Sequence, residues 1–292
     1  MTVALAVTLL LSVVIGLSLG LLGGGGSILT VPILTYVAGL QPREAIAASL
    51  FVVGATSAFG AVSHARKGRV QWRTGLIFGA AGMVGAFGGG LLGGRIPGTI
   101  LMIAFALMMV ATSLAMIRGR KNRAAEAHEG ELPVGKVVLE GLVVGLVTGL
   151  VGAGGGFLVV PALALLGGLS MPVAVGTSLV VIAMKSFAGL GGYLTSVSLD
   201  WALVGGVTAA AILGSLVGTR LAGRIPEAAL RKGFGVFVLV MGVFVLVQEL
   251  PGPAGPAVGI AAAALAVAAA VCRFAVPKCP LRREPAPAGA AG

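Results

Sequence analysis

Long apolar stretches, separated by short polar or glycine-containing connections, run along almost the whole chain. In the first half these stretches cover residues 3–22, 27–40, 45–63, 74–94 and 98–117. In the second half they cover residues 137–152, 157–169, 173–194, 202–222 and 233–248, and one more lies at 256–272. About 20 apolar residues in an α-helix cross a bilayer core of roughly 30 Å. The pattern therefore predicts an all-α, polytopic transmembrane protein in which the stretches at 27–40 and 157–169 are short for a full crossing.

The second half repeats the first half at a constant shift that takes Gly16 to Gly145 and needs no gaps. The same shift pairs Gly20 with Gly149, Pro32 with Pro161, Ser49 with Ser178, Ser57 with Ser186, Trp72 with Trp201, and Pro97 with Pro226. So many uncommon residues matching in one register indicate a duplicated unit. The repeat predicts a first transmembrane unit at 1–118, a basic cytoplasmic linker at 119–136, a second transmembrane unit at 137–250, an extra transmembrane helix at 251–273 and a disordered cytoplasmic tail at 274–292.

The composition agrees with a membrane protein and explains the net charge. Hydrophobic residues make up 58% of the chain and charged residues only 10%, against about 25% charged residues in soluble domains. A net charge of +11 would suggest nucleic acid as a partner in a soluble protein. In a membrane protein lysine and arginine collect in cytoplasmic loops. We therefore expect a lipid bilayer and no nucleic acid as partner, and neither a metal nor a cofactor; a homo-oligomer is compatible with the sequence.

Matching loops of the two halves differ in charge. The loop at 64–73 is rich in basic residues, whereas its counterpart at 193–201 contains Asp200 and no basic residue. In the next pair the second half is the more basic, with three basic residues at 224–232 against Arg95 alone. Because basic loops stay in the cytoplasm, the halves are predicted to be inverted repeats in a bacterial inner membrane, with the N-terminus outside and the C-terminus inside. Parallel four-helix halves are the alternative.

A glycine-rich interruption followed by a proline occurs once in each half and predicts a broken hairpin. The candidate binding residues in the two interruptions are Gly24, Gly25, Gly26, Ser27, Gly154, Gly155 and Gly156. Glycine permits unusual backbone dihedrals, and a short helix starting inside the membrane offers free N–H groups to an anion. The alternative is that these glycines only let helices pack closely.

Lys185 lies near the middle of the stretch at 173–194, where a charged side chain costs about 2.5–3.5 kcal/mol on insertion scales. The other candidate substrate-binding residues are Thr177, Ser178 and Ser186 in the same stretch, and Ser49, Thr56 and Ser57 in the matching stretch of the first half. The repeat puts Thr56 in the place of the lysine. Because no carboxylate is expected at this depth, the ammonium group is predicted to bind an anion. Snorkelling to an interface or pairing with a buried carboxylate are the alternatives.

The glycine-rich break followed by proline, once per half of an apolar chain, resembles the sulfite exporter TauE/SafE family from about residue 3 to residue 248. The resemblance implies transport of a small anion such as sulfite or an organosulfonate, for example sulfoacetate. The first half departs from the second, since Gly24 and Ser27 stand where the second half has Ala153 and Gly156. The two hairpins are therefore not equivalent in sequence.

The expected function is secondary transport of a small anion, bound near the midplane between the repeats and moved by alternating access. An anion channel is the alternative, because a basic, glycine-rich pathway would serve it as well. An intramembrane enzyme is less favoured, because the sequence places no Ser/His pair, paired aspartates or His/Glu metal cluster at membrane depth. No catalytic residue is assigned.

Overall fold

The structure is a computed structural model that describes residues 2–22, 25–118, 134–152, 156, 159, 163, 171–221, 227–262 and 264. Its helices are α1 (Thr2–Leu22), a 3₁₀ helix (Gly25–Leu29), α2 (Thr30–Tyr36), α3 (Pro42–Arg66), α4 (Trp72–Gly93), α5 (Gly98–Arg118), α6 (Val134–Val151), α7 (Met171–Tyr193), α8 (Trp201–Leu221) and α9 (Glu227–Glu249). Residues 254–262 form a further helix. No strand occurs among the described residues, and the all-α prediction is confirmed. Most of the predicted linker and the whole predicted tail lie outside the described residues.

Six helices in the described part of the chain are long and apolar enough to cross a membrane. They are Val3–Leu21, Pro42–Arg66, Trp72–Gly93, Val173–Tyr193, Trp201–Leu221 and Lys232–Glu249. Shorter apolar helices cover Ser27–Tyr36, Gly98–Leu114 and Val137–Val151. The polytopic prediction is therefore confirmed, and the stretch predicted at 27–40 is a 3₁₀ helix followed by a two-turn α-helix.

Local capping sets where the long helices begin. Pro42 opens α3, and the Gln41 backbone N–H donates to the Glu44 carboxylate at 3.3 Å in a capping box. Proline suits the first helical position because its missing N–H would be unpaired there in any case. Asp200 precedes α8, and its carboxylate accepts bonds from two backbone N–H groups of the first turn at 3.0 and 3.2 Å. With these caps α3 starts three residues earlier, and α8 one residue earlier, than the apolar pattern alone predicts.

The helix starts reproduce the sequence repeat. Helices α3 and α7 begin at Pro42 and Met171, and α4 and α8 begin at Trp72 and Trp201. Helices α5 and α9 begin at residues 98 and 227. Each pair is separated by the shift that relates Gly16 to Gly145. The two homologous halves thus have the same order of helices.

The halves interlock through their fourth helices. Helix α4 of the first half packs against α6 and α7 of the second, and α8 of the second half packs against α1 and α3 of the first. The remaining large contacts join equivalent helices, α3 with α7 and α5 with α9. The main contacts therefore recur when the halves are exchanged, but α8 packs against α3 over a smaller area than α4 packs against α7.

Glycines bring the backbones of the interlocked helices into direct contact. A Cβ at Gly145 of α6 would overlap the Gly82 backbone of α4, and a Cβ at Gly16 of α1 would overlap the Ala211 backbone of α8. Residue numbers rise together along the two helices of each contact. For example, a Cβ at Gly149, four residues after Gly145, would lie 2.7 Å from the Cα of Ala86, four residues after Gly82. Each contact thus joins helices that run in the same direction and has the small-residue packing typical of membrane helices.

Helices α3 and α7 run in opposite directions. A Cβ added at Gly189 would lie 3.4 Å from Leu50. One added at Gly54 would lie 3.3 Å from Ser186, and one added at Gly60 would lie 3.3 Å from Leu179. Residue numbers rise along α3 as they fall along α7. One end of the bundle, here called the Pro42 end, therefore holds the start of α3 and the end of α7. The other, the Arg66 end, holds the end of α3 and the start of α7.

Helix α1 runs in the same direction as α8. Because α8 and α3 both run opposite to α7, α1 and α3 also run in the same direction. The chain must return across the bundle between α1 and α3, and the 3₁₀ helix and α2 lie on this return path. At its far end the Tyr36 hydroxyl donates to Glu249, the last residue of α9, at 2.9 Å. The first half is thus arranged as five passes between the two ends, and most of the matching return path of the second half, predicted at 157–169, lies outside the described residues.

Gly85→Ala tests the backbone contacts. A Cβ at Gly85 would overlap the Leu142 carbonyl and lie 2.8 Å from the Leu146 nitrogen, so α4 and α6 would have to separate. We expect a fall of about 1–3 kcal/mol in stability, seen as a lower melting temperature in detergent. Gly88→Ala is the control, because its Cβ would lie 4.0 Å from the Leu146 side chain. Equal melting temperatures of the two variants would contradict this account.

Candidate functional site

Lys185 lies in the interior of the bundle. Its side chain is 1% exposed. Its Nζ is buried and has no hydrogen-bond partner among the described residues. The side chain therefore neither reaches an interface nor binds a carboxylate in the described part of the chain, and its positive charge is uncompensated there.

Glycines of two neighbouring helices leave room for the Lys185 side chain. A Cβ at Gly82 of α4 would lie 3.8 Å from the Lys185 Cβ and 4.0 Å from its Cδ. The same position lies 3.6 Å from the Gly141 carbonyl of α6. Because α4 belongs to the first half while α6 and α7 belong to the second, both halves surround the lysine. We call this surrounding space the Lys185 pocket.

The chain that follows α6 passes along α7. Near the end of α6, the Gly149 Cα lies 3.5 Å from the position of a Cβ at Gly189. Farther on, Val159 belongs to one buried apolar cluster with Val181. Val159 and Val181 thus contribute to the same part of the core.

Gly156 is helical and buried. The predicted association of the second glycine cluster with Lys185 stays a prediction. Gly24, Gly154 and Gly155 lie outside the described residues.

Gly152 marks the end of α6 and has a positive φ of 72°. Such a dihedral favours glycine over residues with a Cβ. The Ser49 hydroxyl of α3 donates to the Gly152 carbonyl at 2.9 Å. A predicted site residue of the first half thus fixes the point where the second half's helix breaks.

The other predicted hydroxyl residues are spread over different parts of the bundle. The Thr177 hydroxyl accepts a bond of 2.9 Å from the Gln71 backbone N–H at the Arg66 end, about 12 Å along α7 from Lys185 by helical rise. The Ser178 hydroxyl donates to the Val175 carbonyl at 2.8 Å. It lies on the same face as Lys185, two turns away.

Ser57 and Ser186, a pair related by the repeat, lie in the contact between α3 and α7. The Ser186 Cβ is 3.3 Å from the position of a Cβ at Gly54. Both hydroxyl groups are buried and lack a hydrogen-bond partner among the described residues. Where the two equivalent helices cross, these two hydroxyl groups are therefore not engaged by any other described residue.

The first half forms a matching but uncharged region. Gly25 and Gly26 open the 3₁₀ helix, and Ser27 within it is buried. The Thr56 hydroxyl, in the place of Lys185, donates to the Val52 carbonyl at 2.7 Å. Thr30 follows the 3₁₀ helix, and its buried hydroxyl has no partner among the described residues.

Sequence reasoning missed Thr30, Gly82 and Gly141. A polar residue inside a short apolar segment was the available signal for Thr30. No signal along the chain marked Gly82 or Gly141, because each contributes through a neighbouring helix that the sequence does not specify.

Comparison with known proteins gives a consistent family. The family model of the sulfite exporter TauE/SafE matches residues 8–245. A probable membrane transporter protein of Xylella fastidiosa is 36% identical over 237 residues, covering 78% of this chain and 90% of that protein. A probable membrane transporter protein of Bacillus subtilis is 28% identical over 226 residues, covering 76% and 92% respectively. No solved structure matches the chain.

Ser49→Ala tests the bond at the helix break. Removing the hydroxyl leaves the buried Gly152 carbonyl without this donor, which costs about 1–3 kcal/mol. We expect a lower melting temperature than that of the unsubstituted protein. Ser113→Ala is the control, because buried Ser113 donates only within its own helix, to the Val110 carbonyl at 2.8 Å. If both variants melt alike, the bond across the helices does not fix the break.

Proposed function

The chain belongs to the sulfite exporter TauE/SafE family, and from this premise we propose that it is a secondary transporter of sulfite or a small organosulfonate such as sulfoacetate. Its family and relatives make it a membrane transporter and not an enzyme. The observation that carries the choice of an anion is the buried ammonium group of Lys185, which has no hydrogen-bond partner in the described part of the chain.

An uncompensated charge inside a protein is expensive because the interior solvates it poorly. A bound anion supplies the missing opposite charge and accepts hydrogen bonds from the ammonium group, which has three donors. Sulfite and sulfonates present several oxygen acceptors around one small centre. Gly82 presents no side chain to the lysine, and a Cβ there would lie 3.8 Å from the Lys185 Cβ and 4.0 Å from its Cδ.

The position of the pocket favours alternating access. Its walls come from α4 of one half and from α6 and α7 of the other. A movement of one half against the other would therefore open the pocket towards different ends of the bundle, as in other transporters with a central site.

We further propose that the halves are inverted repeats. Helices α3 and α7 occupy equivalent places in the two halves, and their contact is antiparallel. Equivalent helices that cross the membrane in opposite directions are what an inverted repeat requires. Five passes in the first half, an odd number, agree with the same arrangement.

The proposed orientation places the Arg66 end in the cytoplasm. Basic residues at positions 66, 67, 69 and 73 lie in or beside the loop at this end, and basic loops remain on the cytoplasmic side. Helix α1 starts at the opposite end, so the N-terminus lies outside. The helix that begins at residue 254 then leads the C-terminus back to the inside of the bacterial inner membrane.

Cysteine labelling tests this orientation. Cys272 and Cys279 are first replaced by serine, and Lys67→Cys and Ser198→Cys are made separately at exposed positions. An impermeant maleimide is expected to label Ser198→Cys on cells with an intact inner membrane and Lys67→Cys only after that membrane is opened. Labelling of both from the same side would exclude inverted repeats.

Lys185→Met tests the binding role. Hydrogen bonds to charged groups contribute about 1.5–3 kcal/mol, so we expect sulfite or sulfoacetate to bind at least about tenfold more weakly. Lys185→Arg should restore only part of the affinity, because its planar head is larger than the ammonium group. Lys67→Met, at the exposed Arg66 end, is the matched control and should bind normally.

Melting temperature, measured on the same purified Lys185→Met protein, separates binding from a structural role. A structural ion pair predicts a loss of about 3–5 kcal/mol in stability, whereas the proposed site predicts a stable variant. Unchanged affinity in a stable variant would remove Lys185 from the site. Saturable counterflow by the unsubstituted protein in liposomes would support a carrier, and its absence together with ion current would indicate a channel.

A further inference from the structure

The turn that joins α3 to α4 at the Arg66 end has a fixed backbone. Gly68, just after the end of α3, has a positive φ of 66°. The Lys67 and Arg69 backbone N–H groups both donate to the His64 carbonyl, at 3.2 and 3.0 Å. A Cβ at Gly176 of α7 would overlap the Arg69 carbonyl, so the turn lies directly against the start of α7. The end of α3 and the start of α7 therefore hold this turn in place.

The same backbone bonds recur in the turn that joins α7 to α8 at the Pro42 end. The bond from the Lys67 N–H to the His64 carbonyl is repeated as a bond of 2.9 Å from the Ser196 N–H to the Tyr193 carbonyl. Equivalent backbone bonds also open α4 and α8, at 2.9 and 3.0 Å. The two turns thus share a backbone frame at opposite ends of the bundle.

The side chains on the two turns differ in charge. The turn after α3 has four exposed basic residues, and the equivalent residues after α7 are exposed and uncharged. The basic set is Arg66, Lys67, Arg69 and Arg73, and its repeat mates are Thr195, Ser196, Ser198 and Ala202. No acidic residue occurs in the sequence between Glu44 and Glu126. Because the second turn forms without basic residues, the charges are not needed to fold the first. We call residues 66–73 the basic turn.

Large apolar side chains flank the basic turn. Trp72 is 55% exposed, Val62 of α3 is 51% exposed and Leu76 of α4 is 48% exposed. The repeat mates of Val62 and Leu76 are Gly191 and Gly205, which present no side chain. Tryptophan in membrane proteins lies at the level of the lipid head groups. The basic turn therefore joins positive charge to exposed apolar surface on both of its helices.

We infer that the basic turn binds an anionic phospholipid. Phosphate oxygens of the head group accept charge-assisted hydrogen bonds from lysine and arginine, and clusters of basic residues next to a membrane helix attract anionic lipids. The acyl chains of the same lipid lie against Trp72 and the exposed apolar side chains of α3 and α4. A free phosphate would use the charges and leave this apolar surface without a partner. The inference does not depend on which anion the protein transports.

The test compares melting temperatures of the purified full chain in detergent with phosphatidylglycerol or phosphatidylcholine added at equal concentration. We expect phosphatidylglycerol to raise the melting temperature more, because a ligand bound only to the folded state stabilises it, and we expect salt to reduce the difference. Lys67→Ser combined with Arg69→Ser introduces the residues of the repeat mates, which the same frame accepts. This variant should bind phosphatidylglycerol about 25-fold more weakly, at about fivefold for each basic residue removed.

Matched variants separate charge from packing. Lys67→Arg combined with Arg69→Lys keeps both charges and should retain the response to phosphatidylglycerol. Arg95→Ser removes an exposed charge at the Pro42 end and should also retain it. Trp72→Ala should weaken the response, whereas Trp201→Ala, at the repeat mate beside the uncharged turn, should not.

Equal melting temperatures in the two lipids overturn the inference, and they are the result expected if the basic residues serve only to orient the chain during insertion. A response to phosphatidylglycerol that survives Lys67→Ser with Arg69→Ser overturns it as well. Glycerol 1-phosphate at the same concentration is the probe for a free phosphate ester, and an equal rise in melting temperature with this probe would contradict a lipid site. Sulfite binding at Lys185 is measured without phosphatidylglycerol, so the proposed function and this inference fail separately.

Discussion

Direct contact between helix backbones is the constraint on which the rest of this structure depends. In a bilayer the lipid tails are as apolar as the side chains, so helices associate through close van der Waals packing and not through removal of apolar surface from water. Glycines at positions 85, 89, 145 and 149 allow α4 and α6 to approach until no Cβ fits between them. The same spacing between α1 and α8 interlocks the halves, and only this interlocking surrounds Lys185 with residues of both.

The buried lysine gives this packing a function. A protein of this size has no general use for an unpaired ammonium group in its interior, because the interior solvates charge poorly and the group costs stability. Its retention is understandable if a ligand supplies the opposite charge during part of each transport cycle. Weak compensation of the lysine charge by the protein's own side chains would then be an advantage, because a permanent carboxylate partner would compete with the anion for the ammonium group.

Duplication explains how one frame provides two environments. The repeat keeps the glycines and the helix starts in register, so the α1–α8 contact has the same backbone packing as the α4–α6 contact. Some buried side chains differ between the halves, with Thr56 in place of Lys185 and Thr30 in place of Val159. Only the second half therefore has a lysine at this repeat position.

The sequence by itself determined that this chain is an all-α membrane protein of two homologous halves, and it located Lys185 at membrane depth. These features depend on apolar length, on repeat register and on the cost of a charge in the bilayer, all of which are properties of position along the chain. Only the tertiary structure decided that Gly16 and Gly145 serve backbone packing, that Thr177 lies with Gln71 at the Arg66 end, and that Thr30 is buried with no hydrogen-bond partner among the residues described. The physical reason is that helical periodicity fixes the face on which a residue lies, whereas the neighbour across that face is chosen by packing between segments far apart in the chain.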